Sequence, residues 1–248
     1  NRIYGSLNSA DNCKRGNISL TLCHNCGMVF NLKFESELME YGENYNNKQS
    51  TSEYVIKYMN ETIDLLCHKF WLVIINILDV GCGNGEFLEL LSMKSHSRGI
   101  GFDPSYMGPD YTSNTQFISD YLTEKRSPIK ADVLILRHVL EHVDKPMQFL
   151  YTILQYLKID TNCKIVIEVP DFNWITDPGR QFESPSDVIN YFSEQSLRNL
   201  LKSIGLEVID IFNQFEGQYI IAIASFHPNS VNKKEIKTTY TVSKSIIY

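Results

Sequence analysis

Short β-branched runs alternate with amphipathic stretches from about residue 70 onward, the pattern of βαβ units wound around a parallel sheet. The first apolar run predicts a strand over Val73–Val80. Phe87, Leu88, Leu90 and Leu91 then recur at helical spacing, and Arg98–Phe102 reads as a second strand ending at Asp103. Phe117-Ile118 marks a short third strand. Ala131–Leu136 is the fourth, set between the turn-prone Ser127-Pro128 and Arg137-His138. Asp144 is expected to cap a helix that runs to Leu157 with Pro146 in its first turn, and Lys164–Val169 is a fifth strand closed by Pro170.

The final third changes character. Ser193 has the chemistry of an N-cap, Leu197, Leu200, Leu201 and Ile204 share a helical face, and Gly205 is placed to stop the helix. Leu206–Phe212 and Gln218–Phe226 read as strands separated by the polar Asn213–Gly217, short enough for a hairpin, so an antiparallel pair is expected at one edge of the sheet. The first 60 residues carry too little apolar periodicity for a domain of their own. They divide into a knuckle around Cys23-His-Asn-Cys26-Gly27 (residues 1–35) and a lid-like helical segment (36–69) with Tyr41, Tyr45, Tyr54 and Tyr58. The α/β domain then occupies 70–228 and a polar tail 229–248.

Composition narrows the partners. With 23 basic residues against a net charge of −6, a general nucleic-acid or anionic-membrane surface is not expected, and small molecules are the favoured ligands. The longest apolar run, Phe70 to Leu78, contains Asn76 and is far short of the roughly 20 residues of a membrane span. Six cysteines, mostly in apolar or strand-like contexts, fit a reducing compartment, so the cytoplasm is the expected location. The chain begins at Asn1 without Met or a secretory leader pattern and reads as a fragment or trimmed chain.

Candidate chemistry concentrates where the first strand ends. Asp79 is followed by Gly81, Gly83 and Gly85, a sharp turn into a helix whose first amides are free to meet a ligand. A dinucleotide site requires G-x-G-x-x-G, whereas the spacing here is G-x-G-x-G with Glu86 next, an acid that disfavours a pyrophosphate. S-adenosylmethionine carries no phosphate, and its ammonium suits Asp79. Asp103 follows Gly85 by 18 residues and ends the second strand, where a carboxylate can accept both ribose hydroxyls. Asp120 and Tyr121, just past the third strand, are candidates for the adenine, and Tyr41 and Tyr45, in loop-like sequence, for an aromatic lid over a cationic sulfonium. His138 and His142 follow the fourth strand, at the edge where open α/β sheets bind ligands, and an imidazole there suits acid–base work. Plainer roles compete: a tight turn without ligand for the glycines, a turn former for Asp103-Pro104, a loop brace for Glu141-His142, and a surface ion pair for Arg137.

Asp79-Val-Gly-Cys-Gly-Asn-Gly, Gly101-Phe-Asp-Pro104 and Ala131-Asp-Val-Leu-Ile-Leu-Arg-His-Val-Leu-Glu-His142 together resemble the class I S-adenosylmethionine-dependent methyltransferases. More narrowly, Cys23–Gly27, the Tyr41 to Tyr45 stretch, Glu168-Val-Pro170, Tyr191–Leu197 and Phe215–Tyr219 resemble the branch that includes deoxysugar C-methyltransferases, over about Leu22 to Phe226. The resemblance implies a Rossmann-like fold, a mostly parallel seven-stranded sheet with its last strand antiparallel, plus a small N-terminal appendage. It also implies a nucleotide-linked sugar or related metabolite as methyl acceptor, and Tyr191 as a substrate contact.

Two departures stand out. The branch opens with two Cys-x-x-Cys pairs that bind zinc, but only Cys23 and Cys26 have that spacing here, and tetrahedral zinc takes four ligands. The Glu-His pair that supplies the branch's base is replaced by Asp187 and Val188, which leaves His138, with His142, as the candidate base. Methyl transfer to oxygen or nitrogen, or a degenerate scaffold without turnover, are the alternatives.

Overall fold

The structure is a computed structural model that describes residues 6–12, 16–35, 52–70, 75–158, 163–177 and 188–226. A short helix α1 (Leu7–Asp11) precedes a hairpin of β1 (Leu20–Leu22) and β2 (Val29–Asn31). A long helix α2 (Glu53–Phe70) leads to β3 (Asn76–Val80), α3 (Glu86–Lys94), β4 (Arg98–Phe102), β5 (Thr115–Ile118) and β6 (Val133–Arg137). After a 3₁₀ turn at Leu140–His142 come α4 (Pro146–Tyr156), β7 (Lys164–Pro170), α5 (Phe172–Ile175), β8 (Asn190–Tyr191), α6 (Glu194–Ser203), β9 (Glu207–Gln214) and β10 (Tyr219–Ser225).

Seven strands form one sheet in the order β5-β4-β3-β6-β7-β10-β9. The first five run parallel, and β10 is antiparallel to both β7 and β9. Both faces are covered, which is why β6 is buried along its whole length rather than alternating. Its residues still sort by parity. Leu134 and Leu136 join Leu78, Val80, Ile165 and Ile167 beneath α4 and α6, with Phe149, Ile153, Leu197 and Leu201 as the helical partners. Val133 and Ile135 join Ile77 and Val166 on the opposite face, under Met59, Ile63 and Leu66 of α2 and Phe87, Leu88 and Leu91 of α3.

Ser193 caps α6 as expected, in a reciprocal pair with Ser196, and Gly205 follows its last turn at φ +80°. The start of α4 differs from expectation: its cap is Lys145, which makes no side-chain capping bond, and Pro146 supplies the first position. The N-terminal knuckle is also less separate than its sequence suggests. β2 pairs antiparallel with both β1 and β8, so a second, three-stranded sheet joins the knuckle to the segment before α6. Tyr41, Tyr45, Cys13, Asp187, the start of the expected first strand at Val73 and the polar tail lie outside the described residues.

Candidate active site

The glycine turn stands at the carboxyl end of β3, in the middle of the sheet. Gly81, Gly83 and Gly85 all have positive φ, at +82°, +57° and +82°. A Cβ at Gly81 would lie 2.4 Å from Val139 Cγ2, and one at Gly85 2.5 Å from Phe117 Cε1. These two glycines therefore admit the protein's own side chains, and the packing locks the turn shape. Gly81 and Cys82 donate their amides to the carbonyl of Phe102, which pins the turn to the end of β4.

Asp79, the residue that opens the motif, is buried. Burial pushes its carboxyl up to about 7, against the pull of Arg137 and with further push from Asp103 and Glu168. Its Oδ1 has no hydrogen-bond partner. An acceptor of this kind beside a ligand-binding strand end matches a cation such as an ammonium.

Asp103, one residue past β4, accepts the amide of Gly83 at 2.8 Å through Oδ2, and the amide and hydroxyl of Ser105 at 2.8 and 2.6 Å through Oδ1. Oδ1 already accepts two bonds, while Oδ2 accepts one and keeps a second lone pair for an incoming hydroxyl. The structure thus brings Asp79, Gly81, Gly83, Gly85 and Asp103 to one sheet edge. Asp120 and Tyr121 stand beyond β5, both exposed. The Tyr121 phenol is raised first by burial and then by Asp103 and Asp120, which places all three in one electrostatic neighbourhood. The donor set therefore fits S-adenosylmethionine: Asp79 for the ammonium, Asp103 for the ribose, Asp120 and Tyr121 for the base.

On the other side of β3 the chain builds a charged cluster. Arg137 and Glu168 are register partners on the parallel strands β6 and β7 and form a bidentate pair, Nε to Oε2 at 2.9 Å and Nη2 to Oε1 at 3.0 Å. The guanidinium also lies over the Phe87 ring, 3.9 Å from its centroid. His138 leaves the strand at φ +54° and turns its ring back into the pair. Its Nε2 meets Glu168 Oε1 at 2.8 Å and its Nδ1 meets Glu141 Oε1 at 3.3 Å. Burial opposes a charge on this imidazole, yet the two carboxylates outweigh it and raise the ring to about 9. Burial likewise works against the Glu168 charge, but Arg137 and His138 hold its carboxyl well below the usual range.

His138 thus has both ring nitrogens on carboxylates, an arrangement that favours the protonated ring. That geometry suits a fixed positive charge and does not suit the free base expected from sequence, because a base needs an open lone pair. His142 is near the same carboxylate, 4.0 Å from Glu141 Oε1. Tyr191 is buried on β8 with Val29, Val188 and an edge-on Phe172 ring, in the small sheet's own apolar cluster.

Two features of the site escape a sequence reading. Glu168 was visible only as part of a strand end, and nothing local ties it to Arg137, 31 residues away. An aromatic wall also forms beside His138: Tyr219 meets the imidazole edge-on at 4.7 Å and stacks flat on Phe215 at 5.2 Å, while Tyr54 and Tyr58 of α2 pack on Phe215 and Tyr58 also on Tyr219. Phe215 and Glu216 both sit in the left-handed region, so the turn between β9 and β10 is bent to present that ring.

In the knuckle, the amide of Gly27 bonds the carbonyl of Cys23, and that of Cys23 the carbonyl of Met28. Amides at Cys26 and Asn25 lower the Cys23 thiol, while burial raises that of Cys26. Among the described residues no three His, Cys, Asp or Glu side chains gather as a metal site, so Cys23 and Cys26 stand as a two-thiol half of the tetrahedral set zinc takes. No helix among the described residues is long and apolar enough to cross a membrane.

Comparison with known proteins agrees with this geometry. No curated protein matches by sequence. Among solved structures the chain is similar to a Burkholderia thailandensis 1,6-didemethyltoxoflavin-N1-methyltransferase bound to S-adenosylhomocysteine. That likeness has a TM-score of 0.52 and 18% identity, over 68% of this chain and 78% of that one. An S-adenosylmethionine-dependent methyltransferase from Aquifex aeolicus gives 0.51 and 17%, over 66% and 88%. The [4+2]-cyclase SpnF gives 0.54 and 15%, over 74% and 86%, so the shared architecture does not itself fix the reaction. The family model described as a methyltransferase domain matches residues 47–211, and the chain belongs to that family of S-adenosylmethionine-dependent methyltransferases.

Proposed function

We propose that this protein transfers the methyl group of S-adenosylmethionine to an oxygen or nitrogen of a small hydroxylated acceptor, with a nucleotide-linked sugar or related metabolite as the leading candidate. The cofactor reading rests on the tie between Asp103 and the Gly83 amide, which sets a carboxylate and the glycine turn side by side at the ends of β4 and β3. When bound, S-adenosylmethionine supplies a methyl on cationic sulfur, open to in-line displacement. The chain's part is to hold the two reactants in line and to keep water out.

The preference for a heteroatom acceptor comes from the proton. A carbon acid must lose its proton before it attacks, which needs a free base. Val188, where the C-methyltransferase branch has its histidine, is buried among Val29 and Tyr191, and His138 has both ring nitrogens on carboxylates. A hydroxyl or amine attacks through a lone pair it already has, and its proton can leave after the new bond forms, once the product is released to solvent. The aromatic cluster of Phe215 and Tyr219 stands beside His138, where apolar surface suits the carbon skeleton of a sugar or heterocycle. Calorimetry with S-adenosylhomocysteine tests the cofactor site. Incubation with radiolabelled S-adenosylmethionine and a panel of nucleotide-linked sugars, with the position of the new methyl read by NMR, tests the acceptor. A methyl found on carbon would overturn the heteroatom reading.

A further inference from the structure

The small three-stranded sheet reaches the charged cluster through one side chain. Asn190, at the start of β8, is buried and donates its amide to two carbonyls of the turn that follows β6, to Leu140 O at 3.0 Å and Val143 O at 2.6 Å. Beside it the Ile189 amide bonds the carbonyl of Glu141. Between those anchors stands Glu141 itself, whose carboxylate holds His138 Nδ1. The turn is a single 3₁₀ turn without a side-chain cap, so little within it fixes its own shape.

We propose that Asn190 is a positioning residue for the acceptor side of the site: by gripping both ends of the Leu140–His142 turn, it holds Glu141 against His138 and so keeps the imidazole oriented and charged.

The inference rests on the methyltransferase reading only for the role of the cluster in turnover. The contacts are independent of it. The groups facing His138 are Glu141 from the turn, Glu168 from β7, Tyr219 from β10 and Arg137, its chain neighbour. Both hydrogen bonds that Asn190 donates go to carbonyls of the turn, so its route to His138 runs through the turn. A donor of one N–H fewer should therefore act in proportion, and an effect that survives loss of the Glu141 carboxylate must have another route.

The test is a histidine-detected NMR titration of the full chain, which needs neither cofactor nor acceptor and so separates failure of this inference from failure of the methyltransferase reading. Wild-type His138 should stay charged through neutral pH. In Asn190→Ala its midpoint should fall by about one pH unit, a tenfold loss in proton affinity. Asn190→Ser, which keeps one donor and disturbs packing less, should fall by a smaller amount. Glu141→Gln should fall at least as far, and adding Asn190→Ala to it should change nothing more. A folded Asn190→Ala or Asn190→Ser with the wild-type midpoint overturns the proposal, as does an Asn190→Ala effect undiminished in the Glu141→Gln background.

Discussion

Asp103 Oδ2 accepts the backbone amide of Gly83 at 2.8 Å, joining the acid at the end of β4 to the middle glycine of the turn after β3. The carboxylate is thereby aimed before any ligand arrives. Asp103→Ala should lower affinity for S-adenosylhomocysteine by roughly 10- to 100-fold, the worth of a charge-assisted hydrogen bond or two, while circular dichroism stays native. Unchanged calorimetric affinity would remove Asp103 from the cofactor site.

The two outer glycines are held by packing. Gly85→Ala would set a methyl 2.5 Å from the Phe117 ring at a φ of +82°, and should destabilise the fold by about 2–4 kcal/mol in urea denaturation. Gly27→Ala also has positive φ, +74°, but nothing within 4 Å of its Cβ, and should cost about 1 kcal/mol from backbone strain alone. Equal losses in the two variants would show that backbone strain, and not the Phe117 contact, governs Gly85.

Arg137 and Glu168 are buried partners, so loss of one leaves the other uncompensated. Arg137→Met is expected to cost about 3–5 kcal/mol, and the double variant Arg137→Met/Glu168→Met markedly less than the two single losses added together. Additive losses in a double-mutant cycle would mean the pair is not coupled.

Stability should fall as pH rises through two separate windows, one for each of two buried groups. His138 is raised from 6.5 to about 9, so its stabilisation is complete below pH 6.5 and lost as pH rises through about 9. Asp79 is raised from 3.8 to about 7, so the fold is penalised once the unfolded chain ionises there: stability falls as pH rises from 3.8 to about 7, and the cost persists above. Asp79→Asn should therefore be more stable than the natural chain at pH 8, by about 2 kcal/mol, and bind S-adenosylmethionine more weakly. A variant no more stable at pH 8, by urea midpoints taken from pH 4 to 10, would mean that Asp79 is not strained in the fold.

The sheet was legible because its information is local. Alternation of apolar runs with helical spacing placed all seven strands, and the break at Asn213–Gly217 placed the antiparallel pair. That Asp79, its glycines and Asp103 share one sheet edge was legible for the same reason: the first four are contiguous, and Asp103 follows the adjacent strand. His138 stands where the sequence put it, but its partners could not be read there, because they lie on β7 and on the turn that β8 holds. Glu168 becomes its partner only through the parallel register that sets Arg137 opposite Glu168. A cap was misjudged too: Asp144 has the right chemistry, but Pro146 at the first helical position makes Lys145 the boundary.

The pairing of Val29 with Tyr191 bears on how the chain comes together. The three-stranded sheet is completed only across a separation of some 160 residues, a non-local contact whose closure entropy must be met before it stabilises anything. Any piece of this protein meant to fold alone must therefore carry both ends of that connection, and a cut placed between knuckle and α/β domain would strip β8 of its neighbour and loosen the grip of Asn190 on the active site.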